Sequence, residues 1–151
     1  MISGPILNAS SLMARILVVD DDYSTARMLV EYLALSGFQT ATEPDGLRAL
    51  QHVDLRKPDL VILDLMLPVV TGVEVARRLR LDPNSQHIPI LVITAIERPD
   101  DLADVLMADY VLPKPFDLNQ LSDAITRLIA GDDDLAGDMT NGLPAGAMVF
   151  D

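Results

Sequence analysis

The chain has 151 residues, half of them hydrophobic and only 4% aromatic, enough for one domain with an aliphatic core. Without cysteine it has no disulfide, no thiolate metal site and no thiol nucleophile, which suits a reducing cytoplasm. A net charge of −12 opposes direct contact with nucleic acid or an anionic membrane surface, where binding runs on Lys and Arg, and no apolar run reaches the ~20 residues that span a bilayer.

Residues 1–13 lack the basic start of a signal peptide and read as a flexible extension, with Met13 opening the phrase Met-Ala-Arg-Ile-Leu-Val-Val-Asp. Arg15–Val19 is a continuous apolar run that ends in Asp20, Asp21 and Asp22. Tyr23–Ser36 follows with Met28, Leu29, Tyr32 and Leu33 at helical spacing, and Gly37 is placed to stop that helix. Phe38–Thr42 alternates like a strand. Asp45-Gly46 opens a second helix over Leu47–Val53. Leu60–Leu63 is another unbroken aliphatic run, ended by Asp64. Pro68–Gly72 is a loop, and Val73–Leu81 is helical through Val73, Ala76, Leu79 and Arg80. Ile88–Ile93 is the fourth buried run, ended by Thr94. A short weak helix is expected over 99–108, then a brief strand at Val111-Leu112 before Pro113-Lys114-Pro115. Leu118, Leu121, Ile125, Leu128 and Ile129 make a final amphipathic helix, with Asp117 as its N-cap.

Five strands thus alternate with five helices. Unbroken aliphatic strands are buried on both faces, which calls for a parallel sheet between two helical layers. Right-handed crossovers then leave a doubly wound, flavodoxin-like α/β sandwich over 14–130. Residues 131–151, with Asp132, Asp133, Asp134 and Asp138 among glycines, read as an acidic, disordered tail.

Asp20 and Asp21, Asp64, Thr94 and Lys114 each follow a strand directly. In an open α/β sheet the carboxyl ends of the strands form the ligand edge, so these residues should converge. Crowded carboxylates repel unless a cation relieves them, and Mg²⁺ prefers oxygen ligands. Asp64 would be a nucleophile able to form an acyl phosphate, Lys114 a point charge for the phosphoryl oxygens and Thr94 a hydroxyl donor. The plainer reading, that such residues are helix caps and turn formers, suits Asp22. It does not account for four strand ends carrying polar groups at one edge.

The segments ILVVDDD (16–22), PDLVILDLMLPVVTG (58–72), PILVITA (89–95) and LPKPF (112–116) together resemble the receiver domain of bacterial response regulators. The resemblance spans about residues 14–130. It implies Asp64 as phosphoacceptor, Asp20 and Asp21 as the acidic pair that organises Mg²⁺, and the backbone carbonyl of Met66 as a further metal ligand. It implies Thr94 as the hydroxyl that shifts toward the phosphoryl group and Lys114 as the lysine of a Lys-Pro turn whose peptide bond is often cis. A sensor histidine kinase or histidine phosphotransfer protein would be the donor, and output would pass through a protein partner, from a monomer or weak homodimer.

Two departures bear on readout. The family's switch aromatic sits three residues before the lysine, where this chain has Val111. Tyr110 is one residue early, which turns it to the other face of its strand and leaves it a partly exposed packing residue. The stretch from Thr94 to Lys114 is also slightly short, with Met107 where the family has glycine. A second reading is therefore a phosphorylation-independent interaction module built on the same fold. An aspartate-nucleophile phosphatase would want a second Asp at position 66, which is Met. His52 and His87 lie outside any ligand spacing and read as surface residues. The chain also lacks a Gly-x-Ser-x-Gly turn, a P-loop and a dinucleotide fingerprint.

Overall fold

The computed structural model describes residues 14–95 and 107–131. The strands are β1 (Arg15–Val19), β2 (Gln39–Glu43), β3 (Leu60–Asp64), β4 (Ile90–Thr94) and β5 (Tyr110–Pro113). They form one parallel sheet in the order β2-β1-β3-β4-β5. The helices among the described residues are α1 (Tyr23–Leu35), α2 (Gly46–Arg56), α3 (Gly72–Leu81) and α4 (Leu118–Ala130).

Strand alternation divides the core into two layers. Ile16, Val18, Leu60, Ile62, Leu91, Ile93 and Leu112 face α1 and α4, meeting Leu29, Leu33, Leu121 and Ile125. Leu17, Val19, Val61, Leu63, Ile90, Val92 and Val111 face α2 and α3, meeting Ala49, Val53, Val75 and Leu79. The doubly wound α/β sandwich expected from the aliphatic runs is what forms. Among the described residues no helix is long and apolar enough to cross a membrane.

The helix starts are fixed by side-chain caps that satisfy otherwise unpaired N–H groups. Asp22 accepts from Ser24 N–H, Asp45 from Arg48 N–H and Thr71 from Glu74 N–H. Asp117 accepts from Gln120 N–H at 2.7 Å while the Gln120 side chain accepts from Asp117 N–H, closing a capping box. Gly37, at φ 101°, ends α1 as its position suggested.

Some boundaries differ from the sequence reading. Phe38 is not in β2 but packs into the core on the α1 side. β4 begins two residues late, since Ile88 N–H donates to the Ser85 carbonyl in a turn. α2 runs on to Arg56 and ends at Lys57, whose left-handed backbone (φ 49°) stops it without a glycine. Position 107 is a turn with φ 55°, not the end of a helix. The rest of the helix expected over 99–108, the extension over 1–13 and the tail beyond 131 lie outside the described residues.

Two glycines let helix starts press against backbone. A Cβ on Gly72 would run into the Asp64 carbonyl and Leu65 Cα, and one on Gly46 into the Val70 carbonyl. The loop from Asp64 to Gly72 is thus gripped from both helices of one layer. Gly72→Ala should destabilise the fold by about 2–3 kcal/mol, the usual scale for forcing volume into a packed site; urea unfolding of the two proteins measures it.

Candidate functional site at the carboxyl edge of the sheet

The parallel strands deliver their last residues to one edge. Register places Val19 beside Leu63, Asp64 beside Ile93 and Thr94 beside Pro113. Asp20 follows β1, Asp64 ends β3, Thr94 ends β4, and Lys114 follows β5. The Lys114 N–H donates to the Thr94 carbonyl at 2.8 Å, tying the last two together. The Lys114-Pro115 peptide bond is cis, as the Lys-Pro turn led one to expect.

Asp20, Asp21 and Asp64 come together with one carboxylate oxygen from each within 4.8 Å of the others. Asp20 and Asp64 are only 6% and 8% exposed, while Asp21 is open to solvent. One oxygen of each buried carboxylate is held locally: Asp20 Oδ1 accepts from Asp22 N–H at 2.8 Å and Asp64 Oδ1 from Met66 N–H at 3.1 Å. The other Asp64 oxygen, Oδ2, faces Lys114 Nζ at 3.8 Å. Thr94 is fully buried. The side chains of Asp20, Asp21, Asp64 and Lys114 therefore meet at this edge, while Thr94 ends the adjoining strand β4 and is tied to Lys114 through its backbone carbonyl.

The crowding has an electrostatic consequence. Burial pushes the Asp20 carboxyl up to about 6, with the charges of Asp64 and Asp21 adding to it, and the Asp22 N–H and Lys114 opposing. A dication would relieve this set better than Lys114 alone. Its donors are all hard oxygens, which Mg²⁺ accepts. On donor chemistry the cluster fits that ion.

Several neighbours gave little or no warning in the sequence. Val69 adopts φ 69°, rare for a β-branched residue, and Val70 N–H donates to the Pro68 carbonyl at 2.8 Å. This tight turn leaves Met66 and Val69 67% and 77% exposed close in sequence to Asp64. No glycine marks it. Gly72, read as the end of the Pro68–Gly72 loop, instead opens α3. His52 corrects the surface reading: it is half-buried, with Nδ1 2.9 Å from Glu43 Oε2. His87 is exposed as expected. Tyr110 and Val111 take opposite faces, Tyr110 packed on the α1 side and Val111 buried on the α2 side.

Residues 16–126 match the family model for the response regulator receiver domain. The chain is 40% identical over 134 residues to the DNA-binding response regulator MtrA of Mycobacterium tuberculosis, covering 85% of this chain and 56% of that protein. It spans about half the length of the curated relatives it matches. The chemotaxis response regulator CheY4 of Vibrio cholerae superposes with a TM-score of 0.72 at 30% identity, over 77% of this chain and 98% of that one. The response regulator TrrA of Thermotoga maritima, solved in complex with Mg²⁺-BeF, gives 0.69 at 33% identity, over 77% and 99%.

The raised Asp20 predicts a pH signature. A carboxyl whose folded value lies near 6, above its ordinary 3.8, favours the folded state fully below 3.8 and loses that contribution as pH rises through 6. In chelator, wild type should therefore lose stability relative to Asp20→Asn between pH 4 and 6. By pH 7 the variant should be the more stable by on the order of 1–2 kcal/mol. Urea titrations at a series of pH values follow the difference.

Proposed function

The chain belongs to the response regulator receiver domain family, and on that premise we propose that it is a phosphoryl-accepting switch with Asp64 as the acceptor. The carrying observation is the cluster itself: Asp64 Oδ2 opposite Lys114 Nζ at 3.8 Å, with Asp20 and Asp21 gathered on the same carboxylate. In this reading Asp20, Asp21, Asp64 and the Met66 backbone carbonyl hold Mg²⁺. When bound, the ion would supply positive charge to offset the charge that develops in phosphoryl transfer.

The chain's own groups divide the rest of the work. Asp64 is kept in place by the Met66 N–H on Oδ1, so an oxygen can attack phosphorus. A P–O bond forms as the P–N bond to a donor histidine breaks, and the imidazole leaves with that electron pair. Lys114 stands where the transferred oxygens gain charge. Thr94, buried at the end of β4, offers its hydroxyl to the product acyl phosphate. Hydrolysis of that acyl phosphate by water returns the carboxylate, so the domain promotes both its own loading and its own reset.

The donor is a sensor histidine kinase or a histidine phosphotransfer protein, and the phosphorylated form signals by protein contact in the cytoplasm. The net charge of −12 supports protein rather than DNA contact for this stretch of chain. MtrA is named as DNA-binding, and this chain spans 56% of its length. The burial of Val111 in place of an aromatic favours the second reading, a module whose contacts ignore phosphate.

Intact-mass spectrometry after incubation with acetyl phosphate separates the two. A Mg²⁺-dependent phosphoryl adduct is expected on wild type and none on Asp64→Asn. Lys114→Ala should slow its appearance by about tenfold or more, the scale of losing one charge-stabilising donor. A folded wild type that never acquires the adduct would leave the phosphate-independent module as the reading to keep.

A further inference from the structure

Among the described residues β2 pairs with β1 alone. Gln39 N–H donates to the Ala14 carbonyl, and the Glu43 carbonyl accepts from Asp20 N–H. The N–H and C=O of one strand residue point to the same side, and successive residues alternate. Gln39, Ala41 and Glu43 therefore turn toward β1, while Thr40 and Thr42 present their backbone groups outward. The strand reads Gln-Thr-Ala-Thr-Glu in continuous register. It carries no proline, lysine or bulge, the devices that blunt an exposed edge.

Beside this edge, on the face covered by α2, lies a cavity of about 360 Å³. Gln39, Ala41, Arg15, His52, Arg56 and Pro58 contribute to its walls. Most of the described Lys and Arg side chains, among them Arg27, Arg48, Arg80 and Lys114, sit against a carboxylate. Arg15 and Arg56 do not, and both line this cavity. The Arg15 guanidinium donates only to the Lys57 carbonyl, at 3.2 Å. The nearby acids are already engaged: Glu43 with His52 Nδ1 at 2.9 Å, and Asp59 with the Arg15 backbone N–H at 2.8 Å. In a chain of net charge −12, two arginines without acidic partners in one recess mark a place for negative charge from elsewhere.

We propose that the β2 edge is a docking site for an extended acidic peptide of a partner protein, which adds as a sixth strand. Its backbone pairs with Thr40 and Thr42, and every second side chain falls on the face of Ala41, where acidic groups meet Arg15 and Arg56. Strand addition of this kind draws affinity from main-chain bonds and specificity from the pockets along the edge. A small anion would use the arginines and leave the strand edge unpaired. The site stands apart from Asp64 and does not depend on phosphorylation.

The test uses the full chain and a fluorescent synthetic peptide of about ten residues, the length of a long strand, alternating glutamate with valine or threonine. A matched peptide with lysine for glutamate and inorganic pyrophosphate serve as the other probes. Anisotropy should show binding of the glutamate peptide alone, and amide hydrogen exchange should slow at Thr40 and Thr42. Arg15→Glu and Arg56→Glu should each weaken binding by about five- to tenfold, as reversal of a charge facing an acid does. Asp64→Asn should bind as wild type. Thr42→Pro removes an outward N–H without touching the β1 ladder and should abolish binding, with the arginine variants standing in if it does not fold. Pyrophosphate bound at these arginines, with no binding of the glutamate peptide, would overturn the proposal in favour of a small-anion site. Protection of Thr40 and Thr42 that rises with protein concentration alone would overturn it in favour of edge pairing between two copies. Unchanged exchange at both threonines with saturating peptide would overturn it outright.

Discussion

A parallel sheet buried on both faces has only its two ends left for polar chemistry. Ile62 and Leu63 turn to opposite layers, each sealed under helices, so the next residue, Asp64, is the first that can reach water. The same holds for Asp20 after β1 and Lys114 after β5. Parallel register then brings all these ends to one edge. Hydrophobic burial aligns the strands, and the meeting of the charges is its by-product.

That meeting is electrostatically unfavourable taken alone. Two carboxylates nearly out of solvent share the edge with a third, and Lys114 stands 3.8 Å from Asp64. Burial first, with the charges of Asp64 and Asp21 adding to it, pushes the Asp20 carboxyl up to about 6. The fold tolerates it because backbone N–H groups hold one oxygen of each buried acid, and because the loop after Asp64 is clamped. Gly72 lets α3 press directly on the Asp64 backbone, and Gly46 lets α2 press on Val70.

Where this edge leads the rest of the domain is less conventional. Val111 sits in the α2-side core and Tyr110 on the other layer, so the position of the family's switch aromatic holds a small buried aliphatic. Arg80 instead braces the start of β5. Its buried guanidinium donates to the carbonyls of Gln86, Ile88 and Met107 and pairs with Asp109. Asp109 in turn accepts from Ile90 N–H. A strand anchored this way holds Lys114 in register at its far end.

The sequence by itself determined the layer order and the gathering of Asp20, Asp21, Asp64 and Lys114 at one edge. Aliphatic runs of strand length, each ended by a polar residue, admit few other arrangements, and the caps at Asp22 and Asp117 and the stop at Gly37 rest on local chemistry that needs no tertiary context. Other features were decided only by the folded structure. The left-handed turns at Lys57 and Val69 occur without glycine, held by hydrogen bonds from Lys57 N–H to the Val53 carbonyl, from Arg15 to the Lys57 carbonyl and from Val70 N–H to the Pro68 carbonyl. The half-burial of His52 against Glu43, the brace at Arg80 and the unpaired arginines beside β2 join residues from separate elements, and spacing along one chain does not encode those distances. Local pattern reports what a residue does to its own backbone; which charges find partners is settled when strands and helices pack.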